Sequence, residues 1–208
     1  MFKLISRLSA LVLASFLLLG CSENSVPQEG SQFQRLPNDV SNYDVAPLTE
    51  VFSLSCGHCR KMENFIPQIE SLTSQKVDKL HVTFNETAQI AAMIYYTAVM
   101  QLDTTPDHAF MDELFAAVQM GEGSTNTERQ AAIEKAFQTR DLVSPYQLNK
   151  EQQATLFTYL EKAQHVSVAG EINSVPTFIV KGKYQVLTAG HENIEAIAHT
   201  ISYLLTQP

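Results

Sequence analysis

Apolar residues follow two different periods along this chain, and the changes of period divide it into elements. Phe33 to Asp44 holds one short strand and a turn around Pro37-Asn38-Asp39, and Leu48 to Leu54 is a β-favouring apolar run. From Arg60 onward, Met62, Phe65, Ile66, Ile69 and Leu72 recur at helical spacing, with Pro67 inside the run. Proline removes one helical hydrogen bond, so a kink or a division is expected there. Lys79 to Phe84 alternates like a strand, which makes Thr49 to Phe84 a strand, helix, strand unit of the kind that builds parallel sheets.

From Glu86 to about Val168 the strand signals vanish. Helical spacing fills Thr87–Leu102, His108–Gln119, Thr127–Gln138 and Lys150–Gly170, with breaks at Pro106, Gly121 to Gly123 and Ser144-Pro145. The Met and aromatic residues of this stretch, among them Met93, Tyr95, Tyr96 and Phe115, read as core rather than as a ligand site. Strand character returns at Val175 to Val180, then Lys181-Gly182-Lys183 as a turn and Tyr184 to Leu187 as a hairpin partner. Asn193 to Leu205 closes with an amphipathic helix, and no internal repeat is present.

The 208 residues are 45% hydrophobic, enough for one sizeable domain with an insertion and too apolar for a disordered chain. Lys3 and Arg7 precede an apolar run, Leu8 to Leu19, that is too short for a comfortable membrane span and reads as a secretory signal over residues 1–20. Leu18-Leu19-Gly20-Cys21 resembles the bacterial lipobox, in which the chain is cut before the cysteine and the cysteine is acylated. Cys21 is then a lipid anchor, the alternative being an ordinary signal with a chance cysteine near its cut. Ser22 rather than aspartate follows, which in Gram-negative lipoproteins points towards the outer membrane. Residues 21–32, rich in Ser, Glu, Gln, Gly and Pro, read as a flexible tether. The net charge is −8, and loss of Lys3 and Arg7 makes it more negative, which argues against nucleic acid as a partner.

The chemistry concentrates in Cys56-Gly57-His58-Cys59, at the junction of strand and helix. Unpaired N–H groups and the helix dipole stabilise an anion at that junction, and thiolate is the reactive form of cysteine. Cys56 is therefore the candidate nucleophile. Cys59 lies about one turn inside the helix, placed to attack a mixed disulfide on Cys56. Ser55 is a candidate cap, His58 can add positive charge or a donor, and Gly57 can ease a tight turn between the sulfurs. Half of a zinc site is the competing reading of this spacing. Structural zinc wants four N or S ligands, and the remaining histidines, at 81, 108, 165, 191 and 199, form no HxxxH or CxxH pair, so no metal is expected.

Three ordered motifs, Glu50-x-Phe52-Ser53-x-x-Cys56-x-His58-Cys59, Lys79-x-His81-Val82-x-Phe84 and Val175-Pro176 with Gly182-Lys183-Tyr184, resemble the DsbA-like periplasmic thiol-disulfide oxidoreductases from Phe33 to the C-terminus. The resemblance implies an α/β thioredoxin fold, residues 33–85 and 169–208, with an all-helical domain, residues 86–168, inserted between its halves. It implies a cis bond before Pro176 beside the active-site cysteines, where residues alone favour trans, with Val175 offering its backbone to a substrate peptide. Glu50 and Lys79 correspond to a buried acid and base near the inner cysteine, while by themselves either could be a surface residue. The Gly57-His58 dipeptide departs from the proline-histidine common in DsbA proteins and resembles that of eukaryotic protein disulfide isomerases.

What the resemblance implies for function is a monomeric oxidase of the bacterial periplasm, tethered to a membrane by Cys21. It would pass a Cys56–Cys59 disulfide to unfolded or reduced exported proteins, be reoxidised by a DsbB-like membrane partner and need no cofactor beyond that disulfide. An isomerase or reductase, for instance in cytochrome maturation, is the alternative within the same chemistry. The stretch before the first strand is too short for the dimerising domain of DsbC-type isomerases. A peptide-binding lipoprotein without redox turnover ranks last, since such a module has no use for both cysteines.

Overall fold

The computed structural model describes residues 26–121 and 123–208. The signal segment 1–20, Cys21 and the first residues of the tether lie outside them. Pro27 is buried and Gln28 to Gln32 form a hydrogen-bonded turn, so the folded part begins before residue 33, within the stretch that reads as tether.

Five strands, β1 (Phe33–Arg35), β2 (Leu48–Phe52), β3 (Asp78–His81), β4 (Thr177–Val180) and β5 (Tyr184–Val186), form one sheet in the order β1-β5-β4-β2-β3. Only β2 and β3 run parallel, and the crossover between them carries the first helices. The crossover is divided, as Pro67 predicts, into α1 (Gly57–Glu63) and α2 (Ile66–Thr73). Pro67 sits in the first turn of α2, where its missing N–H would have had no helical partner. The strand pattern expected to reach Phe84 stops at His81. Val82 is still buried, but Phe84 has turned out to solvent at 45% exposure.

Residues 86–169 supply α3 (Glu86–Leu102), α4 (His108–Val118), α5 (Asn126–Gln138) and α6 (Lys150–Ala169), and α7 (Ile194–Thr206) closes the chain. Asn85, Asp107, Thr125, Asn149 and Asn193 cap them, each side chain accepting a first-turn N–H. Thr125–Glu128 and Asn149–Gln152 complete capping boxes. Among the described residues no helix is long and apolar enough to cross a membrane.

Side chains alternate across the pleat, so β4 feeds two cores. Ile179 joins Val51, Leu80, Tyr95 and Phe115 under the inserted helices, whereas Phe178 and Val180 join Ile69, Ile197 and Ile201 under α2 and α7. Phe178 is fully buried, and truncating such a side chain to alanine costs about 3–5 kcal/mol. The hairpin between β4 and β5 turns on Lys181 and Gly182, both at positive φ. A Cβ on Gly182 would stand 2.5 Å from the Ser41 backbone nitrogen, so glycine is required there by conformation and by space.

Candidate active site

β2 is buried along its whole length, lies between β3 and β4, and ends at the loop Ser53 to Ser55 that leads into α1. Cys56 itself is the N-cap of α1: its sulfur accepts the backbone N–H of Cys59 at 3.3 Å. Ser55 does not cap, because its hydroxyl is bonded to Ser53 Oγ at 2.8 Å. Cys56 is part-exposed and Cys59 fully buried, and both are free thiols. Gly57 has open space for a Cβ and no positive φ, so the turn between the cysteines does not need glycine, contrary to the tight-turn expectation. His58 is exposed at the same helix end.

The two thiols are driven apart in acidity. The Cys56 pKa falls from 9.0 to about 6, chiefly because the Cys59 thiol donates to its sulfur; the backbone N–H groups of Cys59 and His58 and the imidazole of His58 add to this against the cost of burial. Donation to Cys56 and then burial push Cys59 far above the ordinary thiol range. The arrangement makes one reactive thiolate at the surface and one protonated thiol beneath it.

Across from the helix, the Val175–Pro176 bond is cis and the Val175 carbonyl oxygen lies 3.7 Å from the Cys56 sulfur. Thr188 Oγ1 donates to the Pro176 carbonyl at 3.0 Å. Val175 is thus brought to the Cys56 sulfur although 119 positions separate the two residues along the chain.

Glu50 and Lys79 stand opposite each other in the β2–β3 register, on the face that also carries Phe178 and is covered by α1, α2 and α7. Lys79 Nζ donates to Glu50 Oε2 and also lies 2.7 Å from Oε2 of Glu63, from the last turn of α1. All three side chains are buried. Two carboxylates share one ammonium, so burial pushes the Glu50 pKa up despite Lys79. For Lys79 burial acts downward, but Glu50 and Glu63 outweigh it and hold the pKa up. The Glu50 charge also helps to raise the pKa of Cys59.

Three further residues shape the site without a sequence signal that assigns them a role. Gln119, after α4, donates to the carbonyls of Leu54 at 2.7 Å and Cys56 at 3.1 Å. His81 accepts the Leu54 N–H on Nε2 at 2.8 Å, and its Nδ1 donates to the Val82 carbonyl at 2.8 Å. Burial lowers its pKa to about 3, so the imidazole is neutral and serves as a bracket for the loop. Glu63 is legible only as one charge of an amphipathic helix.

The thioredoxin family profile matches residues 45–201. A search of curated protein sequences finds no match. Among solved structures, DsbA from Xylella fastidiosa superposes with a TM-score of 0.67 at 16% identity, covering 88% of this chain and 97% of that one. NmDsbA1 from N. meningitidis gives 0.64 at 21% identity over 88% and 94%. Proteus mirabilis DsbA, in a form carrying the non-covalently bound peptide PWATCDS, gives 0.61 at 16% identity over 88% and 100%.

Proposed function

The chain belongs to the thioredoxin family, and on that footing we propose that it is a thiol-disulfide oxidoreductase whose exchanging group is the Cys56–Cys59 pair. One observation carries the reading: a part-exposed cysteine caps a helix, its pKa is lowered to about 6, and it faces the Val175 carbonyl with a protonated thiol beneath it. In the oxidised form, a partner thiolate attacks the Cys56 sulfur, the Cys56–Cys59 bond breaks, and its electron pair passes to Cys59, which takes up a proton. A second partner thiolate then attacks the partner sulfur of the mixed disulfide and Cys56 leaves as thiolate. Two partner thiols have been oxidised and one disulfide reduced.

The stabilised Cys56 thiolate favours the direction in which this protein is the oxidant, because whatever stabilises the dithiol makes the disulfide easier to reduce. The natural substrates on this reading are extended segments of reduced exported proteins. The peptide bound by the Proteus mirabilis relative contains a cysteine, which supports that choice. Val175 offers a backbone carbonyl beside the sulfur for such a segment. The wider setting, a periplasmic monomer held to a membrane through acylated Cys21 and reoxidised by a DsbB-like partner, rests on the sequence motifs. Cys21→Ser should then lose membrane association.

The test is oxidative refolding: stoichiometric oxidised protein, added to a reduced and unfolded two-cysteine substrate, should yield the substrate disulfide and titratable Cys56 and Cys59 thiols. A Cys56→Ser variant should not. Transfer by that variant, or none by the parent, would overturn the reading.

A further inference from the structure

The ladder between β4 and β5 ends at the pair Phe178 and Val186, and Pro176 just before it has no backbone N–H with which to continue. Two threonine hydroxyls take the place of the missing backbone bonds. Thr177 Oγ1 donates to the Val186 carbonyl at 2.6 Å, and Thr188 Oγ1 donates back to the Pro176 carbonyl at 3.0 Å. The end of each strand is thus tied to the other by a side chain.

Thr188 is itself held in place. It opens a short 3₁₀ turn, Thr188–Gly190, and the Leu187 N–H just ahead of that turn donates to the Gln32 carbonyl at 2.8 Å. His191 closes the turn: Nδ1 donates to the Leu187 carbonyl at 3.0 Å, which leaves Nε2 to accept the hydroxyl of Thr200, fully buried on α7, at 2.8 Å. Gly190 lies so close to the N-terminal turn that a Cβ on it would stand 2.0 Å from the Ser31 carbonyl oxygen. The segment that carries Thr188 is therefore fixed from α7 and from the N-terminal turn together.

These ties decide what the redox loop can offer a partner. The Pro176 carbonyl is engaged by Thr188 and the residue has no N–H, so of this dipeptide only Val175 is left to pair with an extended segment through its main chain. Its carbonyl oxygen lies 3.7 Å from the Cys56 sulfur. A Val175 free to move would meet a segment in many arrangements, few of which bring a cysteine onto Cys56; a fixed one has lost that freedom before the partner arrives.

We propose that Thr177 and Thr188 are positioning residues that fix Val175 and thereby set the preference of Cys56 for extended polypeptide over small thiols. This rests on the redox reading above and goes beyond it by naming the side chains that make the site selective for a main chain. Both hydroxyls act through Val175 and not on the sulfurs.

Single-turnover reduction of the oxidised full chain separates this role from a merely structural one. A limiting amount of protein is mixed with excess reduced two-cysteine peptide or with excess dithiothreitol, a dithiol that has no main chain to pair. Thr188→Val keeps the shape and removes the donor. It should raise the half-saturating peptide concentration about tenfold and lower the ratio of the peptide rate to the dithiothreitol rate by the same factor, while the maximal peptide rate falls less than about threefold. Thr188→Ser keeps the hydroxyl and should restore both parent values, and Thr177→Val should move them in the same direction as Thr188→Val. An unchanged ratio in Thr188→Val, equal losses towards peptide and dithiothreitol, or no restoration in Thr188→Ser would overturn the proposal. Should Thr188→Val fail to fold, Thr177→Val carries the comparison, and an unchanged ratio there overturns it equally. A parent chain reduced by neither reagent would instead overturn the redox reading.

Discussion

Gln119 donates its side-chain N–H to the backbone carbonyl of Cys56 at 3.1 Å and to that of Leu54 at 2.7 Å. The inserted helices thereby hold the loop that delivers the nucleophile. Gln119→Glu keeps the shape and replaces the donor with an acceptor. Leaving these carbonyls unpaired costs about 1–3 kcal/mol, to be read as a lower midpoint in denaturant unfolding. An unchanged midpoint would mean that the clamp contributes nothing.

Alkylation of the reduced protein should label Cys56 far faster than Cys59, with a midpoint near pH 6. Comparable rates at the two sites would remove Cys56 from its role as nucleophile.

The same shift sets a pH dependence of stability. The folded thiol pKa, about 6, lies below the unfolded value of 9.0, so the thiolate stabilises the folded dithiol fully above pH 9 and not at all below about 6. Calorimetry should show the melting temperature of the reduced form gaining on that of the oxidised form as pH rises through this window, because the oxidised form has no thiol to titrate. A constant difference would contradict the lowered pKa.

Lys79→Met strands two buried carboxylates and should cost about 3–5 kcal/mol, as removal of one member of a buried ion cluster does. Adding Glu50→Gln should recover part of that loss, since one stranded charge is then gone. Glu50→Gln alone should slow resolution by Cys59 without abolishing attack at Cys56. Equal resolution rates in mutant and parent would take Glu50 out of proton transfer.

His81 is neutral in the fold and its pKa drops from 6.5 to about 3, so the unfolded chain binds its proton first. Its contribution is whole above pH 6.5 and is lost progressively down to about pH 3, amounting to a few kcal/mol at this degree of burial. In His81→Asn the acid side of the stability profile should be shallower over that window. An equally steep profile would assign the acid loss to carboxylates alone.

What the sequence by itself determined is local. Periodicity placed the helices to within a residue or two, the side chains before them supplied the caps, Pro67 divided the crossover, and the strand-to-helix junction put Cys56 at a helix N-terminus. Those signals lie within a few residues of the effect they cause, so a single chain carries them. The thioredoxin fold and its inserted helices were legible through the order of three motifs. Tertiary structure alone decided which groups meet. Glu50 reaches Lys79 because β2 and β3 pair in one particular register, and strand register depends on how whole faces are buried. Glu63 joins the site by reaching Lys79 on β3 from the end of α1, and Gln119 and His108 join it because α4 packs antiparallel to α1, a contact across some fifty residues that no local pattern encodes. The roles expected of Ser55 and Gly57 failed for the same reason: Cys56 supplies its own cap, and the backbone that other elements hold in place has no need of a glycine at 57.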